Sequence, residues 1–297
     1  MSETHTAPAL PAPGAGQKAR KVRGGGRGGS NWWAHIVLSI GGFIMVFPFL
    51  WQIVMSLSST AEVTSVPPTL WPEELRFENY VEVFRQVPFM SQFWVSVQVT
   101  VLTVLGQIVL CSLAGYAFAR MRFAASATIF AVMLSILMIP NQAYLIPQYQ
   151  IVQNLGWLDT VQGIVIPTIF SAFGTFLMRQ FFVSMPAELE EAARLDGANS
   201  FQIFWRVMLP LAKPSISALA IITTLAAWNN LLWPLVVTSR AEDRPLSVGI
   251  ASLNGQYVID YPVMMAASLM AMAPILILFI VMQRRVIEGL AHSGLKG

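Results

Sequence analysis

Charge is what this chain has least of. Only 11% of its 297 residues are Asp, Glu, Lys or Arg, against 55% hydrophobic, where a soluble domain carries about 25% charged residues. A water-soluble core cannot take up so much apolar side chain, and a mean hydropathy of +0.61 points to lipid as the solvent. Cysteine is nearly absent. The single Cys111 excludes a disulfide within the chain. The three histidines, His5, His35 and His292, are far apart and show no metal-ligand spacing. No Gly-x4-Gly-Lys-[Ser/Thr] phosphate loop occurs, because the glycines at 24–29 lack both the Lys and the strand–helix context.

The charge that exists is placed unevenly. No ionised side chain lies between Arg27 and Glu62, Arg85 and Arg120, Arg122 and Asp159, Asp159 and Arg179, Lys213 and Arg240, or Asp260 and Arg284. Each window can hold the roughly 20 residues that cross a ~30 Å hydrocarbon core. The expected fold is an all-α integral membrane protein with six transmembrane helices, at about 34–56, 92–117, 125–146, 160–178, 214–238 and 263–283. Pro140 and Pro147 interrupt the third, whose far end is expected to be broken or re-entrant. Fourteen Lys and Arg fall on one side of these spans and four on the other, which together make all 18. The positive-inside rule then puts both termini in the cytoplasm, in a cell membrane. The pI of 9.2 reflects these flanking cations and gives no reason to expect a nucleic-acid partner.

Along the chain, residues 1–30 read as a disordered basic cytoplasmic tail, too poor in apolar residues to form a core. It lacks the apolar stretch and cleavage site of a removable signal peptide, and contact with anionic lipid is its functional alternative. Residues 31–90 hold the first span and an extracytoplasmic segment, with a short amphipathic helix expected at Phe77-Glu78-Asn79-Tyr80. Residues 91–285 form the core, with a cytoplasmic loop at 186–210, and 286–297 are a C-terminal cytoplasmic tail.

Proton- or sodium-driven transporters and voltage sensors usually carry ionisable groups within the membrane. Here the spans offer only His35, at the edge of the first, and neutral groups such as Gln52, Ser96, Gln98, Ser112, Ser171, Thr223, Asn229 and Asn230. Catalysis in the bilayer would need a Ser/His pair, an Asp pair or a metal cluster, and the spans supply none. A chain of this kind that moves solute uphill must draw its energy from another subunit.

Attention therefore falls on the loop. Pro186 suits a first helical position, and Glu188, Glu190 and Glu191 follow where the helix dipole favours negative charge. Glu190 and Arg194 form an i,i+4 pair, worth about 0.3 kcal/mol. Ala192 and Ala193 leave a shallow surface for close approach, and Gly197 can take φ > 0 and end the helix. Ser200 reads as the N-cap of a second helix carrying Phe201, Phe204, Trp205 and Met208, which Pro210 stops. The product is a helix–turn–helix elbow: an amphipathic connector on the headgroups, or a docking element.

The pattern Glu191-Ala192-Ala193-x3-Gly197-x9-Val207-x-Leu209-Pro210 resembles the EAA loop of ABC importer permeases, EAA-x3-G-x9-I-x-LP, with Val207 for Ile as its one departure. The resemblance covers about 85–297 and is nearest to the six-span subunit of maltose-type sugar permeases. It is carried by Ile139-Pro140-x-Gln142, Ala227-Trp228-Asn229-Asn230-x2-Trp233-Pro234, Pro245-Leu246-x-Val248-Gly249 and the tail Gly294-Leu295-Lys296-Gly297. It implies the type I importer fold. It also implies a second homologous permease, two ABC ATPase subunits holding ATP and Mg, and an extracytoplasmic solute-binding protein. No cofactor or metal is expected on this chain, and no catalytic residue.

By that resemblance Glu191 anchors the ATPase, and Ala192 and Ala193 permit docking. Gly197 turns the chain, Asp196 is a further ATPase-coupling position, Leu209 and Pro210 set the angle to the fifth span, and Gly294 to Gly297 touch the ATPase dimer. Asn229 and Asn230, with Trp228 and Trp233, are the expected substrate path for a sugar or sugar derivative, with a non-sugar solute such as a glycerol-phosphate derivative as the alternative. A stand-alone channel would leave the elbow without a partner. A membrane-embedded enzyme would lack its acid, base or nucleophile.

Overall fold

The computed structural model describes residues 32–67, 69–254 and 260–294, with side chains to 281. The expected tail at 1–30 and Leu295, Lys296 and Gly297 lie outside the described residues. Two compact units divide between Pro48 and Phe49. The first carries most of α1 (Trp32–Ser56), whose residues are exposed from Trp32 to Leu50. An all-round apolar helix of this kind buries itself in lipid rather than in its own chain.

The second unit begins with α2 (Thr60–Val63), closed by a capping box between Ser59 and Glu62. The expected amphipathic helix follows as α3 (Glu78–Gln86). Next comes α4 (Phe89–Arg120), 32 residues and so about 48 Å at 1.5 Å per residue. Beyond it come α5 (Ser126–Ser135), α6 (Leu145–Asn154), α7 (Val161–Val165) and α8 (Ala172–Ser184). The elbow consists of α9 (Glu188–Leu195), α10 (Ser200–Ile203), a π turn over Phe204–Met208, and α11 (Leu209–Leu211). The chain ends with α12 (Lys213–Trp228), α13 (Leu232–Val237), α14 (Leu246–Ser252) and α15 (Tyr261–Gly294).

Among the described residues, three helices are long and apolar enough to cross a membrane: Trp32–Ser56, Phe89–Arg120 and Tyr261–Val281. Three more crossings are available where bent pairs each count as one, which gives up to six. The breaks have causes. Ser126–Met138 and Asn141–Asn154 meet at 100°, at Pro140, which has no N–H and disfavours helix for the residue before it. Pro147, expected to interrupt the same span, instead falls in the first turn of α6, where its missing N–H costs nothing. Val161–Thr168 and Ala172–Ser184 meet at 45°, where the Ser171 hydroxyl accepts from the Gly174 amide and caps the second piece. The straight helix expected over 214–238 is two helices, α12 and α13, separated at Asn229–Leu231. Asn229 ends the first by donating its side-chain amide to the Leu225 carbonyl at 2.9 Å. The segment expected as a tail from 286 continues α15 to Gly294.

Glycine permits a close contact between α4 and α8. A Cβ on Gly115 of α4 would stand 2.7 Å from Met178 Cβ and 2.9 Å from the Arg179 amide nitrogen of α8. Around that crossing Tyr116, Met178, Phe182, Ile203, Phe204 and Met208 form one buried cluster. Tyr116 lies edge-on to Phe182 at 5.7 Å and tilted against Phe204 at 5.2 Å, within the range of favourable aromatic pairs. The inner side of the elbow is thus packed onto α4 and α8.

Candidate functional site

The elbow's geometry follows from its sequence. Ala187 caps α9, so Pro186 lies just ahead of the cap rather than at the first helical position. The three Glu occupy the first turn. Gly197 turns the chain with φ +83°, a conformation that costs an L side chain about 1–2 kcal/mol. The N-cap of the second helix is Asn199, not Ser200. The Asn199 side chain accepts from the Gln202 amide, and Gln202 Oε1 accepts from the Asn199 amide, each at 2.9 Å, a reciprocal box that Ser200 cannot make. Pro210 does not stop the helix, because it enters at the start of α11. Having no N–H, it cannot close the bond to the carbonyl four residues back, and the ladder ahead of it is the π turn Phe204–Met208. The chain bends by 75° between Ser200–Leu211 and α12.

Glu191, Ala192, Asp196 and Gly197 are exposed, and Ala193 is half-buried. Leu195 is 90% exposed, and Phe201 and Trp205 are 67% and 59% exposed. Leu209 packs inward while Pro210 is exposed. The outer side of the elbow therefore sets Glu191 and Ala192 beside uncovered Leu195, Phe201 and Trp205, and the two aromatic rings are of the kind that protein interfaces favour.

Its inner side holds a feature that local spacing does not reveal. Glu190 is buried, its side chain 8% exposed, and its Oε1 lies 3.5 Å from Nε of Arg120, itself 13% exposed, at the end of α4. The expected pair with Arg194 also forms, at 3.5 Å, but Arg194 is in solvent. Arg120 donates from Nε to the Phe182 carbonyl at 3.1 Å, and from Nη2 to the carbonyls of Phe182 and Met185. Both carbonyls lie at the end of α8, where a helix leaves acceptors unbonded.

A cavity of about 250 Å³ lies between α4, α7, α8 and α12. Its polar lining is Thr103, Gln107, Thr168, Ser171, Thr223 and Asn230, with no charged residue among them. Two helix interruptions meet there, since Thr168 and Ser171 flank one and Asn230 lies in the other. Gln107 is held in place by donating to the Thr168 carbonyl and accepting from the Thr223 hydroxyl, both at 2.9 Å. The Thr103 hydroxyl is buried without a hydrogen-bond partner. Of the four residues expected on the path, only Asn230 reaches this lining. Asn229 faces away, and both tryptophans serve packing. Trp228 Nε1 donates to the Ala271 carbonyl at 3.1 Å, and Trp233 Nε1 to the Gly163 carbonyl at 3.2 Å. Thr103, Gln107 and Thr168 escaped the sequence reading because single hydroxyls and amides in apolar runs look like helix-to-helix bonds until the breaks beside them are known.

Apolar spans, interrupted helices around an uncharged cavity and an exposed elbow between two spans describe a membrane permease, a class that binds and moves solute without covalent chemistry. The chain belongs to the family described as binding-protein-dependent transport system inner membrane component, which it matches over residues 24–291. It is 35% identical to the arabinooligosaccharides transport system permease protein AraQ of Halalkalibacterium halodurans, over 90% of this chain and 97% of that one. It is 32% identical to the lactose transport system permease protein LacG of Rhizobium radiobacter, over 87% and 94%. It is also 32% identical to the sn-glycerol-3-phosphate transport system permease protein UgpE of Brucella suis, over 89% and 97%. A solved bacterial ABC transporter involved in the import of the acidic polysaccharide alginate matches with TM-score 0.73 at 27% identity, covering 86% of this chain and 95% of that one. The chain is an ABC importer permease and a multi-pass membrane protein.

Proposed function

We propose that this chain is the six-span permease subunit of an ATP-driven importer of a neutral sugar, with both termini cytoplasmic. It pairs with a second permease, receives solute from an extracytoplasmic binding protein and docks two ATPase subunits. The observation that carries the coupling is the two-sided elbow. Its outer side bears Glu191, Ala192 and uncovered Leu195, Phe201 and Trp205, while its inner side is packed onto α4 and α8. Docking through Glu191, Ala192 and Ala193 would move the elbow, and Leu209-Pro210 would pass the motion to α12. Gly294 to Gly297 would make the second contact with the ATPases. Removing 188–197 should abolish co-purification of the ATPase. An ATPase retained at normal yield would exclude this docking mode. Glu191→Lys should leave the protein inserted while uptake falls at least tenfold.

The substrate reading rests on the cavity. Hydroxyls and amides without a cation suit sugar hydroxyls, whereas a phosphate or uronate would seek Arg or Lys. This favours solutes like those named for the arabinooligosaccharide and lactose relatives over glycerol phosphate. Competition of unlabelled lactose, arabino-oligosaccharides and glycerol 3-phosphate for uptake in cells holding the complete transporter decides it. Glycerol 3-phosphate as the best competitor would overturn the neutral reading. Asn230→Asp should lower uptake of the neutral sugar at least tenfold with the ATPase still bound.

A further inference from the structure

We infer that Arg120 and Glu190 form a clasp that makes the elbow, α4 and the end of α8 one moving body, so that α4 is a second route for the ATPase stroke beside the chain connection through Pro210 to α12. This rests on the elbow being the ATPase dock. Neither residue touches solute or nucleotide, and both are positioning residues.

The Arg120 guanidinium joins three segments at once. It belongs to α4, binds the Phe182 and Met185 carbonyls at the end of α8, and faces Glu190 of α9 at 3.5 Å. Glu190 Oε1 has no hydrogen-bond donor of its own, so its compensation is the Coulombic attraction of Arg120. In a site this dry that attraction is screened far less than at the surface. Arg179 mirrors the arrangement from α8. Its Nε donates to the Phe118 carbonyl of α4 at 3.3 Å, and its guanidinium sits 4.4 Å over the Phe130 ring of α5. Each helix thus grips the carbonyl end of the other by an arginine, and Gly115 holds the two backbones close.

Separating α9 from α4 would take from buried Glu190 its buried partner and leave it only the solvent-exposed Arg194, which is unfavourable, so the three segments translate together. The far reach of α4 is the cavity. Thr103 and Gln107 lie on the same uninterrupted helix, 17 and 13 residues before Arg120, about 26 and 20 Å along its axis. Displacement of the elbow therefore shifts one wall of the cavity directly.

The test uses the assembled transporter in lipid nanodiscs. Spin labels at the exposed positions Glu188 and Met121 report the distance from elbow to α4, with and without ATP. The clasp requires the same mean distance and width in both states. In Glu190→Gln, which keeps the shape and removes the charge, the distribution should broaden and solute moved per ATP hydrolysed should fall at least fivefold. A wild-type distance that changes with ATP overturns the clasp, as does a Glu190→Gln transporter with normal uptake per ATP. If Glu190→Gln fails to assemble, the wild-type distances alone decide. Loss of ATPase binding on deleting 188–197 tests the dock separately, so a failed clasp and a failed dock are distinguishable.

Discussion

The two ends of α4 are fastened by different chemistry. At the Arg120 end a buried ion pair and three arginine-to-carbonyl bonds tie it to the elbow and α8. At the other end the fastenings are neutral. The Ser91 hydroxyl donates to the Glu242 carbonyl at 2.8 Å, Gln92 Nε2 donates to the Ala241 carbonyl at 3.0 Å, and the Ser96 hydroxyl accepts from the Leu246 amide at 2.7 Å, so the segment from Ala241 to Leu246 leans on α4 through three single bonds. A neutral bond can be exchanged for another at a net difference of about 1 kcal/mol, whereas a buried charge cannot lose its partner without a penalty several times larger. Under the proposed coupling, the charged end suits a joint that carries load and the neutral end one that releases.

The sharpest way to break this contrast is to force the charged end apart sterically. Gly115→Val would drive side-chain atoms into Met178 and the Arg179 backbone, where backbone cannot yield. Overpacking of this kind costs about 1–3 kcal/mol or more, and here it also strains the Arg120 grip on α8. A lower unfolding temperature of the purified complex should accompany reduced uptake per ATP. Normal coupling in a merely less stable protein would show that the α4–α8 contact is packing alone.

Ser96→Ala tests the other end. It leaves the buried Leu246 amide without an acceptor, at about 1–3 kcal/mol. Stability should fall by that amount while uptake per ATP stays at the wild-type value. A coupling defect as large as that of Glu190→Gln would erase the distinction between the ends. Gly197 comes next. Its would-be Cβ meets nothing within 4 Å, so only the φ of +83° opposes substitution. Gly197→Ala should cost about 1–2 kcal/mol, and Gly197→Asn less, since Asn tolerates this region. Equal loss of ATPase binding in both would mean that the partner needs the bare backbone there.

The charged end was also the less legible one. The absence of charge marked most of the length of the long apolar helices Trp32–Ser56, Phe89–Arg120 and Tyr261–Val281, and the spacing from Glu191 to Pro210 marked the elbow, because these signals are local. The Arg120–Glu190 pair spans 70 residues, and no periodicity connects its members. From sequence Glu190 has only Arg194 within reach, which the structure leaves in solvent. The indoles failed for the same reason. Trp228 and Trp233 beside two asparagines read as a sugar platform, but their N–H groups find carbonyls 43 and 70 residues away. The break after Trp228 was hidden because nothing in Asn-Asn-Leu-Leu lacks an N–H, whereas Pro140 announced its own. Side-chain capping by Asn229 is a tertiary-scale choice between two local bonds.

The smallest expected effect concerns a carboxylate that uses the same chemistry in the open. Glu62 binds the Ser59 amide at 2.6 Å and the Glu73 amide at 2.9 Å, closing the segment between α2 and α3. The Ser59 and Glu73 amides and the Ser59 hydroxyl stabilise its ionised form and lower its pKa from 4.5 to about 2. A folded-state pKa below the unfolded one means that the contribution is fully present above pH 4.5 and is lost as pH falls toward 2. Being solvent-exposed, this fastening should change local opening rather than global stability. Amide exchange at Glu73, corrected for its intrinsic rate, should be flat above pH 4.5 and accelerate progressively below it. In Glu62→Gln it should be fast and independent of pH across the same interval. Acceleration already complete at pH 4.5 in the wild type would mean that the carboxylate is not held by these amides. The contrast with Glu190 would then rest on burial alone rather than on what each carboxylate binds.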